Sequence, residues 1–166
     1  IADRMNGILA APAIARPQSV RSDLLNFMPW FDLHMGMRVG SYGTAEAVAR
    51  LQDGARDVMD RAPMAETLII VNGGDFTEAN DNAALTPQNR HPLAVDMDFD
   101  DIADVAVDTT IAMIEYGLAR AGRVIYQPLE ANHAPAMSVI LRAALRQRYR
   151  DNPRFELRDG FTMFAH

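Results

Sequence analysis

Residues 66–72, Glu-Thr-Leu-Ile-Ile-Val-Asn, constrain what this chain can fold into more than any other stretch. A short, continuously apolar run leaves no face for water, so it reads as a strand buried on both faces, the kind found in parallel sheets. Parallel strands need long crossovers, and helices usually supply them. The flanking sequence fits. "TAEAVARLQDGARDVMDRA" (44–62) carries Ala47, Val48, Leu51, Ala55, Val58 and Met59 at helical spacing behind the N-cap candidate Thr44. Ile102, Val105, Ala106, Thr109, Met113 and Tyr116 repeat that spacing until "AGR" ends it, and "APAMSVILRAALRQRYRD" (134–151) is a third helix with Pro135 in its first turn.

Three further runs read as strands. "LLNFMPWF" (24–31) precedes the first helix, "RVIYQPL" (123–129) follows the second, and "RFELRDGFTMFAH" (154–166) reads as two strands around Asp159-Gly160. The order βαβαβαββ predicts an α/β sandwich with a largely parallel or mixed sheet. Residues 1–23 stand apart as an N-terminal extension, and residues 24–166 form one domain, which 166 residues with 49% hydrophobic content can supply with a real core.

Composition narrows the function. No apolar run approaches the roughly 20 residues that cross a bilayer, and "MNGILAAPAIA" lacks the basic flank of a signal peptide, so a soluble, cytoplasmic protein without a membrane partner is expected. The absence of cysteine excludes disulfides and thiolate metal sites, which leaves Asp, Asn and His for any cation. A net charge of −6 argues against a broad electrostatic grip on nucleic acid, though a local site could still act on it.

Polar residues gather where the strands end. Asp32 and His34 follow the first strand, Asp75 the second, Asn132 and His133 the third, and His166 closes the last. Three of the four histidines fall at these junctions. In open α/β sheets that edge is where ligands bind. Each residue also has a plainer reading: a turn Asp and a bystander His at 32 and 34, a turn cap at 75, a helix N-cap at 132, a strand-end residue at 166. Their coincidence is what points to a metal site.

The remaining polar features read as structural. Asp96, Asp98, Asp100, Asp101 and Asp104 look like a solvated loop leading into a helix, Arg142, Arg146, Arg148 and Arg150 like an exposed helix face, and His91 like a loop residue. The polar stretch from Gly73 to Asp98 is long for a loop and is expected to be functional or disordered.

"DLHMG" (32–36), "GGDF" (73–76) and "ANHA" (131–134), in that order, resemble the D-x-H, G-D and G-N-H-[DE] signature of calcineurin-like metallophosphoesterases. Residues 73–135 are closest to the phage- and prophage-encoded branch, with its T-P and D-V-D-like elements, and the resemblance covers about residues 24–166. It implies two divalent ions, Mn²⁺ foremost, with Zn²⁺, Fe²⁺ or Mg²⁺ as alternatives. Asp32 and His34 would hold the first ion, Asp75 would bridge both, and Asn132 and His166 would hold the second. His133 would act as general acid or stabilise charge on the phosphoryl group. Hydrolysis of phosphodiesters in DNA, RNA or a nucleotide follows as the expected activity, in the host cytoplasm if the chain is phage-encoded.

Two departures accompany the resemblance. Ala131 and Ala134 replace the Gly and the acid of the third motif, and the final G-H-x-H motif is not present in the sequence. Either the domain is truncated on its C-terminal side or its site has decayed into a non-catalytic scaffold or binding domain of the same fold.

Overall fold

The computed structural model describes residues 14–129 and 133–158. The elements run β1 (Arg21–Phe31), α1 (Thr44–Arg61), β2 (Ala65–Gly73), α2 (Phe99–Leu118), β3 (Arg123–Pro128), α3 (Pro135–Tyr149) and β4 (Phe155–Leu157). The expected α/β class forms, with every strand pairing parallel. The second half of the predicted C-terminal strand pair lies outside the described residues.

The sheet order is β1-β2-β3-β4, so each crossover steps one strand in the same direction. Crossovers of one hand then place every helix on one face. Met28 and Trp30 of β1, Leu68 and Ile70 of β2, and Val124 and Tyr126 of β3 form a single core with the apolar stripes of all three helices. On the opposite face Leu25, Phe27 and Phe31 are more than half exposed. Pro29 is tolerated because β1 is an edge strand, where a missing N–H costs no ladder bond.

Helix α1 buries Ala47, Leu51, Ala55 and Met59, whereas Val58 falls off that stripe and is exposed, contrary to expectation. Thr44 is the first helical residue rather than the cap. Its N–H and Oγ1–H both donate to Asp96, at 2.7 Å each. Asp96 is therefore a capping group reaching α1 from a distant loop, not part of a merely solvated run. Arg148 is likewise not exposed: it pairs with Glu115 at 2.5 Å, with only 11% of its side chain accessible.

The stretch between β2 and α2 is ordered by such contacts. Asn80 Oδ1 accepts the N–H of Ala136 in α3 at 2.8 Å, and Asn82 Oδ1 accepts the N–H of Phe99 in α2 at 2.7 Å. With Asp96 on α1, this one loop reaches the N-terminus of all three helices. Among the described residues no helix is long and apolar enough to cross a membrane.

Candidate metal centre

The three residues that come together are His34, Asp75 and His133, each from the loop after a different strand. One ligand atom of each lies within 4.8 Å of the others, a grouping that could hold a metal ion. They sit at the C-terminal edge of β1, β2 and β3, but the strand order never reverses there. The site is built instead by loops that extend the pairing of β1 and β2 past their ends.

That extension is specific. His34 N–H donates to Asp75 O at 2.9 Å, Met35 N–H to Phe76 O at 3.0 Å, and Glu78 N–H to Met35 O at 2.8 Å. The backbone must turn to make them. Asp32 and His34 both adopt left-handed conformations, with φ of 52° and 50°, on either side of the buried Leu33. Such positions cost a non-glycine residue about 1–2 kcal/mol and are held only by the surrounding structure.

Strand alternation, which would set residues two apart on the same side, therefore does not govern Asp32 and His34, because β1 stops at Phe31. Asp32 is exposed, and its Oδ1 accepts the N–H of Asp75 at 3.1 Å. It is not in the three-residue cluster. Asn132 and His166 lie outside the described residues. His91 is an exposed loop residue, as expected, with its N–H donated to Thr86 Oγ1 at 2.9 Å.

Asp75 is buried and holds His133 in two ways. Its Oδ1 accepts the His133 backbone N–H at 2.7 Å, and its Oδ2 stands 3.8 Å from His133 Nε2. The rings of His34 and His133 meet edge to face, with centroids 5.3 Å apart.

Sequence reasoning passed over Glu78. Its Oε2 accepts from His34 Nδ1 at 2.6 Å and stands 3.6 Å from His133 Nδ1. That hydrogen bond, together with the negative charges of Glu78, Asp75 and Asp32, raises the His34 pKa despite partial burial. Burial works against ionised Glu78, yet the His34 hydrogen bond and the two imidazoles outweigh it and hold the carboxyl below its ordinary range. The signal available was an acid three residues after Asp75 in an otherwise small and apolar run, "DFTEA".

Two imidazoles and a carboxylate suit a borderline or hard divalent cation such as Zn²⁺, Mn²⁺ or Fe²⁺. The donors fit such an ion: they converge, they are partly screened from water, and they bring a negative carboxylate to meet the charge. Compared with protein-family models, with curated proteins and with solved structures, the chain matches none.

Proposed function

We propose that this chain is a divalent-metal-dependent phosphoesterase of the calcineurin-like type, acting on phosphodiesters of nucleic acid or nucleotide. The observation that carries the reading is the convergence of His34, Asp75 and His133. These are residues of all three motifs on which the resemblance rests.

In this reading His34 and Asp75 would hold one ion, and Asp75, Asn132 and His166 would hold the other. Bound divalent ions supply charge stabilisation for a phosphoryl group and activation of water. Asp32 shapes the Gly74–Asp75 turn beside them. His133, pinned to Asp75 through its backbone, offers its imidazole to the leaving oxygen as a proton donor.

The test uses the full chain with Mn²⁺, bis(p-nitrophenyl) phosphate and single-stranded DNA. Mn²⁺ should raise the unfolding temperature, since a ligand of the folded state stabilises it by mass action. Asp75→Asn should abolish both that rise and turnover. His133→Ala should keep the rise and lose about 10²- to 10⁴-fold in rate, while His91→Ala should keep both. Absence of any Mn²⁺ or Zn²⁺ binding would sink the reading, and loss of metal in His133→Ala would make His133 a ligand rather than an acid.

A second reading, a decayed scaffold of the same fold, is favoured by Ala134. This residue is buried and occupies the N-cap of α3 with no side-chain cap, where the resembling motif carries an acid. An acid there would support the helix terminus as well as the histidine. Metal binding without turnover on either substrate would select this reading.

A further inference from the structure

Glu78 is a buried carboxylate, and among the described residues its ion-pair partners are two imidazoles, with no arginine or lysine. Burying a charge is costly unless it is paired and hydrogen-bonded. Its location is also fixed from the backbone, since Glu78 N–H is bonded to Met35 O, next to His34.

The geometry around it is directional. Glu78 Oε2 lies 2.6 Å from His34 Nδ1 and 3.6 Å from His133 Nδ1, so both rings turn the same nitrogen toward one oxygen. An ionised carboxylate can only accept, so the proton between Glu78 and His34 resides on Nδ1. The Nδ1 of His133 is buried and has no hydrogen-bond partner among the described residues, which leaves the approaching Glu78 as its acceptor. The opposite nitrogen of His133, Nε2, faces Asp75 at 3.8 Å.

We propose that Glu78 is a positioning residue that fixes His34 and His133 as their Nδ1–H tautomers, which leaves Nε2 of each ring turned away from Glu78, that of His133 toward Asp75. The proposal deepens the metal reading above and rests on it for its purpose. A ligating histidine that donates its second N–H to a carboxylate is held in orientation and made more basic, and removing such a support typically costs about 10- to 100-fold in metal affinity or activity. Glu78 reaches two imidazoles from one position on the Asp75 loop, so a single side chain orients the proposed ligand His34 after β1 and the proposed acid His133 after β3, whose Nε2 then carries the proton to be delivered while Nδ1–H stays on Glu78. It does not itself serve as a ligand, because the oxygen nearest the cluster is committed to His34 Nδ1.

Long-range ¹H–¹⁵N NMR of the imidazoles in the metal-free full chain, with Mn²⁺ titration calorimetry alongside, tests this. In the wild-type chain both neutral rings should carry the proton on Nδ1. Glu78→Ala should move His34 and His133 toward the Nε2–H form and weaken Mn²⁺ binding about 10- to 100-fold. Glu78→Gln keeps the shape and an acceptor oxygen, so it should fold like the wild type, keep His34 Nδ1–H and bind Mn²⁺ with intermediate strength.

Unchanged tautomers in Glu78→Ala would overturn the proposal. So would loss of Mn²⁺ binding with tautomers intact, since Glu78 would then be a ligand. Should Glu78→Ala not fold, wild-type rings protonated on Nε2 would overturn it equally. If the wild-type chain binds neither Mn²⁺ nor Zn²⁺, the metal reading falls on its own, and the tautomer comparison still decides what Glu78 does.

Discussion

The Asp32 carboxylate accepts the backbone N–H of Asp75 at 3.1 Å, so the acid that opens the first motif shapes the turn that presents the acid of the second. Between them lies Gly74, with φ of +63°. A Cβ at this position would overlap Asp32 Oδ1 and crowd its carboxyl carbon. The turn and the carboxylate are therefore fitted to one another, and neither can change alone.

Gly74→Ala and Gly40→Ala separate backbone strain from that fit. Gly40 has a similar φ of +58° but opens onto free space. Gly40→Ala should carry only the left-handed penalty, about 1–2 kcal/mol, or roughly 2–8 °C in unfolding temperature for a domain of this size. Gly74→Ala should fall further and also lose Mn²⁺ binding, because displacing Asp32 releases the Asp75 N–H. Thermal melts with and without Mn²⁺ read both effects. Equal losses in the two variants would show that the Asp32 contact contributes nothing.

The His34–Glu78 pair predicts opposite pH responses for folding and for metal binding. A group whose pKa is higher folded than unfolded stabilises the fold at low pH and loses that contribution as pH rises through its folded value. His34 is such a group. Glu78 is the reverse, its contribution present above its ordinary value and lost as pH falls through the depressed one. The metal-free chain should hold the full contribution of the pair between about 4.5 and 6.5, the ordinary values of the two groups, and weaken on either side. Cation binding needs the neutral imidazole, so Mn²⁺ affinity should climb with pH through the raised His34 value. Melting curves across this range, with Glu78→Gln as the control that flattens the metal-free profile, decide it. A flat wild-type profile would deny the pair any role in stability.

Periodicity made the frame legible. The runs at 24–31, 66–72 and 123–129 are strands, and the three amphipathic stretches are helices, because burying apolar faces leaves few alternatives. The strand-end rule likewise brought His34, Asp75 and His133 together. Asp32 lies apart from the His34, Asp75 and His133 cluster because alternation presumes extended backbone, whereas residues 32 and 34 are left-handed, a conformation enforced by pairing with the loop after β2. Glu78 escaped notice for the same reason. It meets His34 only after β1 and β2 continue their register beyond the sheet, and nothing local announces that. The order of the 73–98 loop is equally non-local, resting on Asn80, Asn82 and Asp96 reaching helix termini far along the chain.

Those caps yield a prediction that ties loop structure to the site. Asn80 and Asn82 perform the same task two residues apart, each accepting a backbone N–H at the start of a helix. Replacing such a cap by alanine costs about 0.5–2 kcal/mol. The two helices differ in what they carry. Asn80 holds Ala136 of α3, just after His133, whose own backbone N–H is bonded to Asp75. Asn82 holds α2, which contributes no residue to the cluster. Asn80→Ala should therefore lower both stability and Mn²⁺ affinity, by loosening the segment in which the proposed ligand Asn132 directly precedes His133. Asn82→Ala should lower stability alone, toward the smaller end of that range because the side chain is exposed. Calorimetric Mn²⁺ titration of both variants, at a temperature where each remains folded, gives the comparison. Equal affinities in Asn80→Ala and Asn82→Ala would mean that His133 is held by Asp75 alone and that the α3 cap serves only the helix.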